Sequence, residues 1–260
     1  QPAYPRIDEI RKFMDEVGLQ HVPIVMAGGV WNLNEYKDWL DNNEIGKIAF
    51  QFGTRPVVTQ ESPVPEDWKR RLLNLQEGDV YLNRFSPTGF YSSALENDFI
   101  KELQKRESMQ APFKTKPDEE FNKEIPFGPR RRKIYLRAAD EQKAQEWIKQ
   151  GFDELMKTPD DTVIFVTKEK AAEIHKDQVD CMGCLSACRF SNWMTDEERG
   201  FTTGKKPDPR SFCIQKTLND IVKGADIENE LLFSGHNAYR FATDPLYAND
   251  YIPTVKELVD

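Results

Sequence analysis

The four cysteines of the chain carry its clearest chemical signal. Three of them follow one another at C-x2-C-x3-C spacing, and the fourth comes after a longer interval: Cys181, Cys184, Cys188 and Cys213. Thiolates in this pattern converge on one point when the loop between them folds back, which is typical of a soft-metal site. A disulfide framework is the weaker interpretation, because such frameworks belong to small secreted chains and this chain has 260 residues.

Two kinds of soft-metal site fit these cysteines. Zinc prefers paired C-x2-C hooks, whereas three close cysteines and one distant cysteine favour a single [4Fe–4S] cluster. The small residues Gly183, Ser186 and Ala187 leave room for a bulky cluster and let backbone N–H groups point at its sulfides. The alternative without a metal is that the cysteines are ordinary buried core residues. Core cysteines, however, have no reason to cluster in one loop. The spacing therefore predicts an iron–sulfur site, with structural zinc as the alternative.

Composition argues against two classes of partner. The chain is 38% hydrophobic and 31% charged, and no apolar run approaches the length needed to span a membrane. Its formal net charge is −8, which argues against a nucleic-acid surface. The one basic run, Arg130-Arg131-Arg132-Lys133, reads as a solvated turn. Reduced thiols and the lack of a recognisable targeting segment predict a cytoplasmic protein.

The elements that lead the chain repeat a helix, a strand and a glycine turn. The apolar runs at 21–27 and 47–51 have the character of strands buried on both faces of a parallel sheet. Gly28 and Gly29 follow the first run directly, and Gly53 follows the second. In α/β proteins a phosphate binds at the carboxyl ends of the strands, where glycine lets it approach the backbone N–H groups. By spacing alone, plain turns explain these glycines equally well.

The residues around these turns resemble a known family. Ala27-Gly28-Gly29-Val30 and Gln51-Phe52-Gly53-Thr54-Arg55 look like the phosphate-binding end of the nitronate monooxygenase (2-nitropropane dioxygenase) family, whose members are FMN-dependent TIM barrels. Further matches are Ser86-Pro87-Thr88-Gly89, the segment from Leu232 to Arg240, and Thr254 to Leu258. The resemblance implies that the FMN phosphate is held by Gly28, Gly29, Gln51, Gly53 and Thr54. It also implies a small-molecule substrate and an electron donor such as NAD(P)H.

The resemblance leaves part of the barrel without a counterpart. Two βα units cannot close a TIM barrel, and the family's Gly-Gly-His-x-Gly loop contains none of the histidines His21, His175 and His236. We therefore expect the N-terminal half of the barrel to come from the same protein or from another chain. The catalytic base is unassigned. We read His236 as a hydrogen-bonded loop residue.

The predicted fold class is α/β. We expect the last βα units of an FMN-binding barrel over 1–62, a helical and βαβ-like insertion over 63–180, and a cysteine-cluster and C-terminal helical segment over 181–260. Within the insertion, the sequence predicts a surface linker at 114–132 and a helix at 140–156. The aromatic residues Phe190, Trp193 and Phe212 flank the cysteines, where they are expected to shield a cluster from water.

The function that these features predict is that of an FMN-dependent oxidoreductase with an iron–sulfur cluster relaying electrons to or from the flavin. A similar cysteine pattern occurs in the iron–sulfur flavoenzymes related to 2,4-dienoyl-CoA reductase, with a shorter final interval. Two alternatives stay open. One is a non-catalytic partner or regulatory subunit with a four-cysteine zinc site, and the other is a flavin-dependent enoyl reductase.

Overall fold

The computed structural model describes residues 3–128, 131–185, 187–191, 195–196, 200–201 and 207–260. The sequence predictions made for Arg130, Ser186 and Trp193 lie outside these residues. The α-helices are α1 (Ala3–Glu16), α2 (Glu66–Leu73), α3 (Asp98–Ser108), α4 (Ala138–Lys149), α5 (Lys168–Val179), α6 (Ile214–Val222) and α7 (Val255–Val259). The strands are β1 (Ile24–Ala27), β2 (Ile48–Gln51), β3 (Val80–Asn83), β4 (Ser92–Leu95), β5 (Gln110–Pro112), β6 (Phe121–Phe127), β7 (Arg132–Arg137), β8 (Glu154–Lys157), β9 (Thr162–Val166), β10 (Thr195–Asp196) and β11 (Gly200–Phe201). The 3₁₀ helices are Leu33–Trp39, Arg55–Val57, Ile227–Asn229, His236–Thr243 and Pro245–Asp250.

The chain divides into two compact units. The first, here called the terminal unit, joins Gln1–Tyr81 to Phe233–Asp260, and the second, the central unit, is Leu82–Leu232. The three-segment division expected from sequence stays a prediction. Among the described residues, no helix is long and apolar enough to span a membrane.

In the terminal unit, β1 and β2 pair in parallel, with Ile24 opposite Ile48 and Ala27 opposite Gln51. A small apolar cluster lies beneath them. Its members are Ile7, Ile24 and Ile45, with Tyr4, Met14, Trp39 and Ile48 packed against it. Both strands therefore end at the same edge, and the chain leaves them side by side.

The prediction that both strands are buried on both faces is wrong. In β2, Ala49 and Gln51 are exposed. The same holds for β1. Ile24 is buried, but Val25 is 57% exposed and Ala27 is exposed as well. A parallel strand is buried on both faces only when neighbouring elements cover both. Among the described residues, β1 pairs only with β2, so one face of this ribbon meets solvent. The barrel itself stays a prediction, whereas the mixture of helices and strands agrees with the α/β class.

The central unit is built on antiparallel strands. The order β5-β9-β8 forms a three-stranded sheet, β6 and β7 form a hairpin, and an antiparallel bridge between Lys114 and Tyr135 connects the two. Helix α4 packs against this surface. The buried core between them consists of Met109, Ala111, Ile125, Ile134, Leu136, Ala144, Val163 and Phe165.

Three predictions for the insertion are corrected. The expected linker at 114–132 contains β6, because Phe121 and Ile125 alternate with polar residues and are buried in the core. The expected helix at 140–156 ends at Lys149, since Gly151 adopts φ 91° and turns the chain into β8. The strands that flank α4 lie in different sheets, where β7 pairs antiparallel with β6 and β8 pairs antiparallel with β9, so the region is not a βαβ unit.

Candidate functional site

The two glycine turns of the terminal unit leave the sheet at one edge. Ala27 and Gln51 are paired residues, and Gly28 and Phe52 are the next residues along each strand. Gly28 and Gly29 adopt φ values of 89° and 73°, a left-handed conformation that favours glycine. A Cβ atom added at Gly28, Gly29 or Gly53 would meet no other heavy atom within 4 Å. The backbone of both turns therefore borders open space.

The C-terminal segment contacts both turns. The backbone N–H of Gly235 donates a hydrogen bond to Thr54 Oγ1 over 2.8 Å, and Asn237 Nδ2 donates to the carbonyl oxygen of Gly29, also over 2.8 Å. The Tyr36 hydroxyl reaches the same carbonyl at 3.4 Å. Since Thr54 Oγ1 accepts a hydrogen bond from Gly235, its own proton is available for an acceptor in the open space.

Arg55 holds these turns together from inside the unit. Its side chain is buried and donates hydrogen bonds to the carbonyl oxygen of Trp31 at 2.7 Å, to Asp244 at 3.2 Å and to the Tyr247 hydroxyl at 3.4 Å. The guanidinium also stacks on the Trp31 ring, 5.2 Å from its centroid. Trp31 Nε1 donates to Asp244 at 2.9 Å. Arg55 therefore has a structural role: it supports the turns from a buried position and does not face the open space beside them.

The cysteine loop of the central unit folds back tightly. After α5, the backbone N–H of Ala187 donates to the carbonyl oxygen of Gly183 at 2.9 Å. A Cβ atom at Gly183, where φ is 72°, would lie 3.0 Å from the Ala187 Cα. Glycine is therefore required at this position for close backbone approach. Sequence reasoning chose Gly183 for a different reason, the space that a cluster needs.

The loop directs backbone N–H groups at sulfur. The N–H of Arg189 donates to Cys181 Sγ and that of Phe190 donates to Cys188 Sγ, each over 3.1 Å. Burial raises the pKa of the Cys188 thiol, while N–H groups of the following residues act in the opposite direction. Such N–H donors favour the thiolate form of a cysteine, which is the form that binds metals.

Cys213 joins this group from a separate segment. It precedes α6 as its N-cap residue, and burial raises the pKa of its thiol, against the backbone N–H groups of Lys216 and Gln215. Cys181 and Cys184 also act to raise the pKa of both Cys188 and Cys213. Nevertheless, no three His, Cys, Asp or Glu side chains form a metal-holding group in the described part of the chain. The thiols are neighbours, but the structure does not show a ligand set.

Two arginines fix the segment before Cys213. Arg106 is buried, and its Nη1 donates to the carbonyl oxygens of Pro209 at 2.9 Å and Ser211 at 3.2 Å. Arg210 forms a two-point ion pair with the buried Asp208 through contacts of 3.0 and 2.9 Å. Phe190 and Phe212 are both buried beside the cysteines, as expected of shielding residues. Arg106 carried no sequence signal for this role, because the two carbonyl groups lie 103 and 105 residues away along the chain.

The family model named nitronate monooxygenase matches residues 6–260. The chain belongs to the nitronate monooxygenase family. The members of this family are FMN-dependent oxidoreductases, and this chain is accordingly a flavin-dependent enzyme. No curated protein and no solved structure gives a significant match.

As a nitronate monooxygenase family member, the chain presents its two glycine turns in a form that suits a flavin phosphate. The open space beside Gly28, Gly29 and Gly53 is what close approach of a phosphate to backbone N–H groups requires. Gln51 is exposed at the end of β2. Ser86-Pro87-Thr88-Gly89, which also resembles the family, forms a turn in the central unit. The backbone N–H of Gly89 donates a hydrogen bond to the carbonyl oxygen of Ser86 over 2.9 Å.

Sequence reasoning did not assign Gly235 and Asn237 to the site. The segment from Leu232 to Arg240 resembled the family, but nothing in its residue types linked it to the turns. Asn237 lies 208 residues from its partner Gly29. His236, between these two residues, is exposed and opens the 3₁₀ helix His236–Thr243. The prediction of a hydrogen-bonded loop residue is wrong for its side chain, because within the described residues no hydrogen bond engages the imidazole.

Proposed function

We propose that the chain holds the phosphate of FMN through Gly28, Gly29, Gln51, Gly53 and Thr54, and a [4Fe–4S] cluster through Cys181, Cys184, Cys188 and Cys213. Its function is then oxidation or reduction of a small molecule by a nitronate monooxygenase-like flavoenzyme with an added one-electron relay. When bound, FMN exchanges one or two electrons and an iron–sulfur cluster exchanges one at a time.

The observation that carries the FMN proposal is the open space at the shared strand edge. Two glycines with positive φ follow β1, a third follows β2, and a Cβ atom at any of them would meet nothing within 4 Å. The backbone can therefore donate to a phosphate without a side chain in the way. Thr54 adds a hydroxyl whose oxygen accepts a hydrogen bond from Gly235, which leaves its own proton for a phosphate oxygen.

The thiol group supports the cluster proposal through its donor chemistry. Cys181 and Cys184 act to raise the pKa of both Cys188 and Cys213, and backbone N–H groups donate to the sulfurs of Cys181 and Cys188. Hydrogen bonds to the sulfurs are among the features that set the potential of a cluster. Phe190 and Phe212 are buried close in sequence to Cys188 and Cys213, and an apolar surround acts on the same property.

The FMN proposal is tested by titrating the purified chain with FMN and following quenching of flavin fluorescence. Gly28→Ala adds a Cβ atom to the open space and is expected to weaken FMN binding roughly tenfold, the loss of about one charge-assisted hydrogen bond. Gly18→Ala is the matched control, because Gly18 also has positive φ and open surroundings but ends α1. Equal weakening in the two variants would count against a phosphate site at Gly28.

The cluster proposal is tested by anaerobic purification with analysis of iron, sulfide and zinc. We expect a brown protein whose broad visible absorbance falls when Cys184→Ser removes an exposed thiol. Met182→Ala changes an exposed residue of the same loop and is expected to keep the absorbance. A colourless protein that contains zinc and no iron would refute the cluster and favour a structural zinc site.

A further inference from the structure

The segment Gly235–Asn237 lies against both of the turns to which the flavin phosphate is assigned. Gly235 bonds Thr54 on one side and Asn237 bonds Gly29 on the other, each over 2.8 Å. Asn237 uses the carbonyl oxygen of Gly29 and not its N–H. The segment therefore stabilises both turns without occupying the backbone N–H of Gly29. His236 lies between Gly235 and Asn237, the two residues that form these hydrogen bonds.

A flavin phosphate carries close to two negative charges, and the nearby cations are already engaged. Arg55 is buried in an ion pair with Asp244 and donates to Trp31. Arg240 is paired with Glu35. His236 is exposed, and within the described residues no hydrogen bond or ion pair engages its imidazole. Arg55 and Arg240 are thus engaged in ion pairs, whereas the imidazole of His236 can donate to an anion.

We propose that His236 contacts the flavin phosphate and makes this site selective for phosphorylated flavins over riboflavin. The inference rests on the proposed FMN function. Asn237 and Gly235 are positioning residues, because they hold the turn and the histidine but do not need to touch the phosphate. The imidazole N–H donates to a phosphate oxygen, adding a charge-assisted hydrogen bond to those from the backbone.

The test compares FMN with riboflavin, which lacks only the phosphate. Wild-type chain, His236→Ala and His21→Ala are titrated with each flavin, and binding is measured by fluorescence quenching. His21 is the matched control, because it is an exposed histidine of the same unit that lies before β1, at the opposite end of the strand. We expect His236→Ala to lose roughly tenfold in FMN affinity and to bind riboflavin as the wild type does. His21→Ala should match the wild type with both flavins.

Equal loss of affinity for both flavins in His236→Ala would overturn the inference, because it would indicate a structural role. Unchanged FMN affinity in that variant would also overturn it, while leaving the proposed FMN site intact. A wild-type chain that binds neither flavin would refute the proposed function and the histidine assignment together. His236→Arg places N–H donors at the same position and is expected to recover at least part of the FMN affinity. Thermal unfolding followed by circular dichroism verifies that each variant is folded.

Discussion

At the scale of single residues, cations in the terminal unit differ sharply in what they stabilise. Arg55 donates to a carbonyl, a carboxylate and a phenol from a buried position, so its loss would leave Asp244 without its cation in a low-dielectric environment. Arg240 pairs with Glu35 at the surface, where water screens the interaction. Both stack on Trp31, which makes them a matched pair.

Arg55→Ala is expected to lower the free energy of unfolding by about 3 kcal/mol, because removal of one partner leaves a buried charge uncompensated. Arg240→Ala should cost less than about 1 kcal/mol, as exposed pairs do. Chemical denaturation followed by tryptophan fluorescence measures both. A cost for Arg240→Ala as large as that for Arg55→Ala would contradict the buried role assigned to Arg55.

At the scale of elements, the β8–β9 hairpin is fastened by a carboxylate in its turn. Asp160 accepts hydrogen bonds from Thr158 at 2.5 Å and Thr162 at 3.0 Å, and pairs with Arg210 at 2.7 Å. Burial acts to raise the pKa of Asp160, but hydrogen bonds from Thr158 and Arg210 outweigh it and lower the pKa to about 2. Arg210 also forms an ion pair with Asp208. The Asp160 carboxylate therefore connects the hairpin, through Arg210, to the segment that leads to Cys213.

The Asp160 contribution to stability depends on pH in a defined direction. Its folded pKa is depressed from 3.8, so the contribution is present above pH 3.8 and is lost as pH falls towards 2. The side chain is 44% exposed, and solvent screening reduces the contribution to about 1 kcal/mol.

Asp160→Asn is the variant that isolates this contribution. The expected result is a loss of about 1 kcal/mol at pH 6 that disappears near pH 2, measured by denaturant unfolding at both pH values. Asp153→Asn alters an exposed carboxylate just before β8 and serves as the control. A loss of stability in Asp160→Asn that is equal at the two pH values would exclude the charge as its cause.

At the scale of the whole molecule, the two ends of the chain form one unit. Phe233–Asp260 groups with Gln1–Tyr81. Their contacts include a hydrogen bond of 2.9 Å that the backbone N–H of Gln60 donates to the carbonyl oxygen of Pro253. Asp244, Gly235 and Asn237 all belong to this C-terminal part. The glycine turns therefore depend on contacts with residues that lie far from them along the chain.

A chain truncated after Leu232 is expected to lose hydrogen-exchange protection in β1 and β2, because Thr54, Gly29 and Arg55 lose their partners. Amides of β8 and β9 should keep their protection, since the central unit retains its core. A chain that ends at Thr254 removes only α7 and serves as the control. Mass spectrometry of peptides measures the exchange. If β1 kept its protection in the chain truncated after Leu232, the grouping of Phe233–Asp260 with Gln1–Tyr81 in one unit would be contradicted.

The sequence determined the local features of this protein. Glycine after each of two apolar runs predicted the turns after β1 and β2, and at Gly28 and Gly29 the chain adopts the positive φ that is inexpensive only for glycine. Cysteine spacing predicted the folded-back loop, and the residues around the turns placed the chain in its family. The helix at 140–156 was overestimated, since its later residues Leu155 and Met156 satisfy their apolar character in β8 as well as they would on a helix face.

Tertiary structure alone decided how distant segments meet. Arg55 and Asp244 are 189 residues apart, and Asn237 and Gly29 are 208 residues apart, so no local pattern could pair them. The same holds for β6, which was assigned to a linker because the segment 114–132 is charged and rich in proline, although Phe121 and Ile125 within it are buried. Local conformation follows from side-chain sterics within a few residues, whereas these contacts depend on which surfaces the folded chain brings together.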